Sequence, residues 1–230
     1  MSDLPEPGRA GERPVRAMFD GIANRYDRVN DVLSFGCDHR WRRLTAEAAQ
    51  AKSGETVLDV GAGTGKLADA LPPGVRVVGV DLSAAMLEQA RRRGSRVDGV
   101  QGSALAFPFR EGTFDALVSA FVLRNLESLP PAFAEMARIL RPGGRLAAVD
   151  ITQPSGTGMR ILFKGYLGAA APLLGRLVCR SDAYRYLVRS VTTLPPAEVV
   201  CGMLERSGFE SCTARSLTGG MTTLWTATRR

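Results

Sequence analysis

Short apolar runs alternate with amphipathic patterns between Thr56 and Ile151. Five runs have the length and composition of buried strands: TVLDVG (56–61), VRVVGVD (75–81), RVDGVQG (96–102), FDALVSAFVL (114–123) and GRLAAVDI (144–151). The segments TGKLADAL, SAAMLEQARRR and PPAFAEMARIL place apolar residues at helical spacing, and RPGG (141–144) is typical of a tight turn. This alternation predicts an α/β fold in which a parallel sheet is covered by helices on both faces.

The pattern changes after Ile151. Residues 155–194 contain no strand-like run and are interpreted as a helical excursion. PPAEVVCGMLERSGFE (195–210) predicts a helix closed by Gly208. The β-rich segments SCTARSL and MTTLWTAT then predict an antiparallel hairpin at the end of the sheet.

A chain of 230 residues with 45% hydrophobic residues suits one large domain with a sizeable core. Residues 1–12 are polar and rich in Pro and Gly, which favours a disordered tail. We expect residues 13–230 to form a single domain, with helical lid segments at about 13–52 and 155–194.

The net charge of +7 permits an anionic partner such as nucleic acid or a phospholipid surface. The excess Arg and Lys residues are scattered, and the strands lack the interleaved aromatic and basic residues of RNA-binding sheets, so no nucleic-acid partner is expected. The apolar run 161–178 is too broken by Lys164, Pro172 and Arg176 to span a membrane. It suits an isoprenoid tail, a membrane surface or an ordinary hydrophobic cap.

The cysteines show no CxxC spacing and no secretory signal precedes them; they are Cys37, Cys179, Cys201 and Cys212. The pattern predicts a reduced, cytoplasmic protein in which each cysteine is a small apolar filler. His39 is the only histidine, which excludes metal sites built from several histidines.

A glycine-rich loop, DVGAGTGK (59–66), follows the first predicted strand. Gly61, Gly63 and Gly65 would let the backbone approach a ligand closely, and Asp81 at the end of the second strand, followed by Leu82, can accept hydrogen bonds from ribose hydroxyls. Nicotinamide enzymes and S-adenosylmethionine (SAM) enzymes share these features, and another nucleotide-binding Rossmann-like sheet is the more general alternative.

Two features favour SAM over a dinucleotide. Asp59 directly precedes the loop, and a carboxylate near a sulfonium is favourable whereas one near a pyrophosphate is not. QGSALAFPF also resembles the adenine-contacting loop of class I methyltransferases, with Ser103 and Ala104 at the positions where that loop usually has Asp or Asn followed by Ala.

Three further blocks narrow the comparison: MFDGIANRYDRVNDVLSFGCDHRWRR (18–43), FVLRNLES (121–128) and SDAYRYLVRSV (181–191). Together they resemble the ubiquinone/menaquinone biosynthesis C-methyltransferase family, over about residues 16–224, and the demethylmenaquinone branch most of all. The resemblance implies a class I methyltransferase fold with a seven-stranded, mostly parallel sheet and an antiparallel C-terminal hairpin. It also implies SAM as methyl donor, no metal, and a lipophilic naphthoquinol or benzoquinol as substrate.

The same resemblance carries over several residue roles. The family's cofactor contacts fall on Thr64, Asp81, Ser103 and Ala104, and a usual Ser contact falls on Ala120, which lacks the hydroxyl. Two further departures are Asp38, where the family often has His, and Trp225, which replaces a terminal His.

Arg124 and Asn125 are the predicted catalytic residues. A permanent cation beside a quinol oxygen would stabilise the phenolate that activates the ring carbon, with Asn125 orienting that oxygen or a water. The alternative for Arg124 is a salt bridge to Asp150 or Glu127 that fixes the loop, and both roles can coexist.

The lid segments supply further candidates. Tyr26 is expected to cover the methionine end of SAM, while Asn30, Tyr184 and Tyr186 are expected to contact the quinol; ordinary core packing is an equal alternative for the tyrosines. Peripheral contact with the inner face of the membrane and a homodimer are both compatible with the sequence. The alternative functions are a SAM-dependent methyltransferase of another small molecule and a non-catalytic SAM- or RNA-binding module.

Overall fold

The computed structural model describes residues 11–154, 156–166, 168, 186, 190, 191 and 193–230. The described helices are α1 (Glu12–Ile22), α2 (Tyr26–Leu33), α3 (Cys37–Ala48), α4 (Lys66–Ala70), α5 (Ala84–Arg92), α6 (Leu129–Ile139), α7 (Thr157–Gly165) and α8 (Ala197–Arg206), with 3-10 turns at Leu123–Asn125 and Thr218–Gly220. The strands are β1 (Thr56–Val60), β2 (Arg76–Asp81), β3 (Asp98–Gln101), β4 (Phe114–Ala120), β5 (Leu140–Ile151), β6 (Phe209–Leu217) and β7 (Thr222–Arg229).

The seven strands form one sheet in the order β3-β2-β1-β4-β5-β7-β6. The first five are parallel, and β7 pairs antiparallel with both β5 and β6. The predicted fold class, with its parallel sheet and reversed C-terminal hairpin, is therefore confirmed. Strand order changes direction between β1 and β4, and the crevice beyond the carboxyl ends of these strands is where open α/β sheets bind ligands.

Apolar side chains pack on both faces of the sheet. On one face Trp41 and Ala46 of α3 join Val57 and Val118, and on the other Phe133 of α6 and Leu204 of α8 join the opposite side of the strands. Trp225, which stands where the family often has His, is fully buried in β7 and its indole donates to the Ala197 carbonyl at 3.2 Å. It therefore serves as core in this chain.

The structure shortens the fourth predicted strand. β4 ends at Ala120, Phe121 adopts a left-handed conformation with φ of 67°, and a 3-10 turn carries Leu123, Arg124 and Asn125. The prediction placed the strand end at Leu123 because the apolar run continues that far, but the run includes the turn as well. The RPGG segment lies in β5, where the register with β4 shifts around Gly143, whose φ is 74°.

One expectation about the cysteines is wrong. Cys201 of α8 and Cys212 of β6 form a disulfide, with Cα atoms 5.6 Å apart, whereas Cys37 is free. The packing of α8 against β6 brings the two cysteines together, and their spacing along the chain does not indicate a disulfide. Cys179 lies outside the described residues.

The N-terminal lid segment is helical over α1, α2 and α3, and α1 begins at Glu12, the last residue of the predicted tail. Residues 1–10 and most of 167–192 lie outside the described part of the chain, so the tail and the second lid segment stay predictions beyond α7. Within that described part, no helix combines the length and the apolarity needed to cross a membrane.

Candidate functional site

A cavity, here called the glycine-loop cavity, opens where β1 ends and α4 begins. Gly61, Gly63 and Gly65 all have positive φ, a conformation that side chains disfavour. A Cβ on Gly61 would lie 2.2 Å from Val122 Cγ2, so the loop and the residues after β4 could not approach as they do with any larger residue. The loop thus exposes backbone to the cavity as the sequence predicts.

Asp81 ends β2 on the wall of this cavity. Its carboxylate accepts hydrogen bonds from the backbone N–H of Gly63 at 2.8 Å and of Ser83 at 2.9 Å, which fix its direction. Burial raises the pKa of Asp81 to about 6, and these two hydrogen bonds partly offset that rise. An oriented carboxylate at this place can accept hydrogen bonds from the hydroxyls of a ribose.

Asp59 lies behind the glycine loop and is not among the cavity-lining residues. Its side chain is 1% exposed, and Oδ2 has no hydrogen-bond partner among the described residues. Burial raises the pKa of Asp59 to about 7, with the positive charge of Arg42 acting in the opposite direction. Asp59 therefore makes no direct contact with the cavity, and its role in cofactor binding stays a prediction.

The glycine-loop cavity collects most of the predicted cofactor residues. On its wall lie Tyr26, Gly61, Gly63, Thr64, Asp81, Leu82, Ala104 and Ala120, together with Asn125. Gly65, Ser103 and Asp59 stand outside the lining set; Gly65 ends the loop, and the Ser103 hydroxyl is engaged by the lid.

Acidic residues of the lid bind hydroxyl groups around this cavity. Ser83 donates to Asp20 at 2.5 Å, Thr64 donates to Asp27 at 2.8 Å, and Ser103 donates to Glu12. Helices α1 and α2 are thereby held over the glycine-loop cavity at three separate points.

A second cavity, of about 340 Å³, lies on the other side of Phe121 and is here called the apolar cavity. Its described lining is Asn30, Leu33, Ser34, Phe35, Cys37, Asp38, Trp41, Phe121, Arg124, Ile151, Leu162, Phe163, Tyr166, Val191, Thr218 and Met221. Most of these side chains are apolar, so the cavity suits a hydrophobic molecule with one polar group.

Arg124 lies on the wall of the apolar cavity although it is only 4% exposed. It forms an ion pair with Asp150, its backbone N–H donates to the same carboxylate at 3.1 Å, and Nε donates to Ser190 at 3.2 Å. The salt bridge to Asp150 that the sequence offered as an alternative is present, and a place beside the second cavity accompanies it.

Phe121 lines both cavities and separates them. Its ring packs edge-on against Trp41 with centroids 6.0 Å apart, and the guanidinium carbons of Arg42 and Arg124 lie 5.0 and 5.7 Å from its centroid. The Asn125 Nδ2 donates to the Phe121 carbonyl at 3.1 Å, whereas Oδ1 is buried and accepts from no residue that the structure describes. The Asn125 Oδ1 can therefore accept a hydrogen bond from a ligand in the glycine-loop cavity, whereas Arg124 lines the apolar cavity.

The three residues predicted to contact the quinol differ in where they lie relative to the apolar cavity. Asn30 lines the apolar cavity, and Tyr184 lies outside the described residues. Tyr186 is fully buried and is not among the lining residues of the apolar cavity. Its hydroxyl has no hydrogen-bond partner among the described residues, and burial raises the pKa of Tyr186 to about 12. Its position favours the packing alternative that the sequence left open.

Sequence reasoning missed Arg42 and Phe121. Arg42 is one of many scattered arginines, and Phe121 reads as the continuation of a strand. A group of acids beside them, Asp31 and Asp38 with His39, has metal-ligand spacing, but the Lys66 ammonium donates to Asp31 at 2.8 Å and lies 3.9 Å from Asp38. Lys66 thus neutralises part of this negative charge.

The sequence model of the ubiE/COQ5 methyltransferase family matches residues 8–229. The chain is 40% identical to the demethylmenaquinone methyltransferase of Beutenbergia cavernae over 91% of its length and 88% of that protein. It is 35% identical to the ubiquinone/menaquinone biosynthesis C-methyltransferase UbiE of Hahella chejuensis, covering 95% and 92% of the two chains. A SAM-dependent methyltransferase structure from Thermotoga maritima shares the fold, with a TM-score of 0.65, 18% identity, and coverage of 94% and 99%.

The buried Asp59 predicts a pH-dependent stability difference between the wild type and Asp59→Asn. The pKa of Asp59 is about 7 in the folded protein and 3.8 without the protein environment, so between these values the native state binds more protons than the unfolded state. Stability conferred by the protonated acid is therefore lost as pH rises through 7. Relative to the variant, the wild type should lose on the order of 1–4 kcal/mol of unfolding free energy between pH 5 and pH 8, measured by urea unfolding. A difference independent of pH would contradict this origin of the shift.

Proposed function

The chain belongs to the ubiE/COQ5 methyltransferase family, and on this basis we propose that it methylates a ring carbon of demethylmenaquinol, with SAM as methyl donor, to form menaquinol. The names of its relatives support this substrate. The observation that carries the proposal is that the glycine-loop cavity and the apolar cavity adjoin at Phe121, the one described residue that lines both. A polar cofactor can occupy the glycine-loop cavity and an apolar ring can occupy the apolar cavity, so that the two react where the cavities adjoin at Phe121.

The residues of the glycine-loop cavity fit the methyl donor. Gly61 and Gly63 give close backbone approach, and Asp81 presents an oriented acceptor. The amide oxygen of Asn125 is buried and has no hydrogen-bond partner in the described part of the chain. SAM supplies a methyl group already activated by a sulfonium. The protein's contribution is to align that methyl with the acceptor carbon and to exclude water.

The acceptor must be made nucleophilic before it can react. Removing the proton of a quinol hydroxyl, whose pKa is ordinarily near 10, sends electron density to the adjacent ring carbon. That carbon forms the new bond to the methyl as the methyl–sulfur bond breaks, and S-adenosylhomocysteine is the leaving group. The methylated ring then loses its C–H proton to give a phenolate, which takes up a proton on oxygen to restore the quinol. Arg124 lines the apolar cavity, which supports our proposal that its cation stabilises the phenolate oxygen there.

The proposed activity is tested by incubating the purified protein with SAM and chemically reduced demethylmenaquinone, and by analysing the quinones by mass spectrometry. Menaquinone is expected to form together with one S-adenosylhomocysteine per methyl transferred. A parallel series with the benzoquinol of ubiquinone biosynthesis separates the two substrate classes. Absence of methylated product with every quinol would overturn the proposal.

The position of Arg124 predicts the effect of Arg124→Lys. Lysine retains the charge opposite Asp150 but cannot contact that acid and Ser190 while presenting a further N–H to the apolar cavity. Turnover should fall about 10²–10³-fold, the usual cost of one lost donor to a developing oxyanion. SAM affinity, measured by calorimetry, should change less than about threefold, because the contact that is lost is made to the quinol oxygen in the transition state and not to SAM. Unchanged turnover in a folded variant would assign Arg124 to loop structure alone.

We also propose that the opening of the apolar cavity rests on a membrane surface. Phe35, Ile161 and Leu162 are 73%, 68% and 61% exposed, and the Phe35 ring contacts Tyr166 at a centroid distance of 5.7 Å. Phe35 and Leu162 also line the apolar cavity, and α7 carries the exposed cations Arg160 and Lys164. An apolar face with basic flanks suits an anionic bilayer, from which a polyprenyl quinol would enter.

Sedimentation with phosphatidylglycerol-containing vesicles tests this contact. The double variant Ile161→Ser/Leu162→Ser should bind vesicles at least about tenfold more weakly, because two apolar side chains no longer enter the bilayer. Val199→Ser on α8 is the matched control, since Val199 is also an exposed apolar residue, at 43%. Equal losses in the two proteins, or no loss in either, would contradict a membrane contact through α7.

A further inference from the structure

We infer that Arg42 of α3 binds the α-carboxylate of the methyl donor, a role that rests on the proposed function and adds a residue to its cofactor site. The side chain lines the glycine-loop cavity and is 7% exposed. It lies in the block 18–43 that carries the family resemblance, but the resemblance assigns it no cofactor contact. The assignment depends on three independent features of its surroundings.

The first feature is a missing hydrogen-bond partner. Arg42 Nε is buried and donates to no atom of the described residues. The nearest acid is Asp38, whose Oδ2 lies 3.7 Å from Nε, too far for a hydrogen bond, and this carboxylate also attracts Lys66. A buried guanidinium with an unused donor is costly unless a ligand supplies the acceptor.

The second feature is the position of Arg42 across the cavity from Asp81. The Arg42 guanidinium carbon lies 5.0 Å from the ring of Phe121, just beyond the end of β4, whereas Asp81 ends β2. β2 and β4 are separated by β1, so their ends lie roughly 10 Å apart at the usual strand spacing. If Asp81 takes the ribose, the amino-acid end of the ligand extends past the glycine loop toward Arg42.

The third feature is the charge of the cavity wall. The other charged side chains in its described lining are acidic, namely Glu12, Asp81 and Glu127. Such a wall favours the sulfonium and ammonium groups of SAM but opposes its carboxylate. Arg42 supplies the compensating cation, and its planar guanidinium matches a carboxylate with two parallel hydrogen bonds.

Calorimetric binding of two ligands to Arg42→Gln tests the assignment. SAM carries the carboxylate, and decarboxylated SAM has the same adenosine, sulfonium and amine without it. The wild type should prefer SAM by about tenfold or more, the free-energy scale of a charge-assisted contact. In Arg42→Gln the affinity for SAM should fall about 10–100-fold while that for decarboxylated SAM changes less than about threefold, so the preference disappears.

Asp81→Asn is the matched control, because both ligands contain the ribose and should lose affinity together. Equal weakening of both ligands in Arg42→Gln, or a preference for SAM that survives, would overturn the inference and assign Arg42 to packing against Phe121. Should the glutamine variant fail to fold, Arg42→Met keeps the aliphatic stem against Phe121 without the charge, and an unchanged preference for SAM there would likewise overturn the inference. If the wild type does not bind SAM, the proposed function fails; if it binds and transfers methyl but shows no preference, only this inference fails.

Discussion

The site depends on one strained residue, Phe121, at the end of β4. A left-handed φ of 67° in a bulky residue costs of order 1–3 kcal/mol, and the surroundings hold it in place. Its N–H donates to the Val149 carbonyl at 2.8 Å, and its carbonyl accepts from Asn125 at 3.1 Å. This turn stops the strand, aims the phenyl ring between Trp41 and Arg42, and starts the 3-10 turn that carries Arg124. The two cavities are separate because the chain turns here.

Buried charge is divided between the two sides of that ring. On the apolar side, Arg124 and Asp150 neutralise each other, and removing either partner would leave the other as an uncompensated charge, at a typical cost of about 3–5 kcal/mol. On the polar side, Asp59 and Asp81 are less completely matched, which is why burial raises the pKa of both. A positively charged ligand would stabilise the ionised forms of these carboxylates, whereas a neutral quinol would not. The electrostatics of each cavity therefore select a different molecule.

The sheet, its reversed hairpin and the glycine loop could be predicted because each rests on local patterns: apolar runs of strand length, helical spacing, and glycines directly after a strand. Asp81 could be placed at the cavity because it ends a strand beside the glycine loop, whereas Thr64 and Ala104 were assigned through the family resemblance. The role inferred for Arg42 could not be predicted, since it depends on α3 packing beside β4, and the block 18–43 does not distinguish Arg42 from its neighbouring arginines. The Cys201–Cys212 disulfide could not be predicted for the same reason, because it depends on how α8 packs against β6 and not on the spacing of the cysteines along the chain.

The lid explains how two dissimilar ligands can be admitted to adjacent cavities. Helices α1 and α2 meet the glycine-loop cavity through acid–hydroxyl contacts, such as Asp20 with Ser83 and Asp27 with Thr64. The apolar cavity is lined instead by Phe35 and by Leu162 and Phe163 of α7, and the Phe35 ring contacts Tyr166. In the proposed function, such polar contacts would exchange with water as the cofactor enters from solvent, while the apolar lining would gain most by facing a lipid phase. The two ligands would then arrive from different solvents and meet only at Phe121.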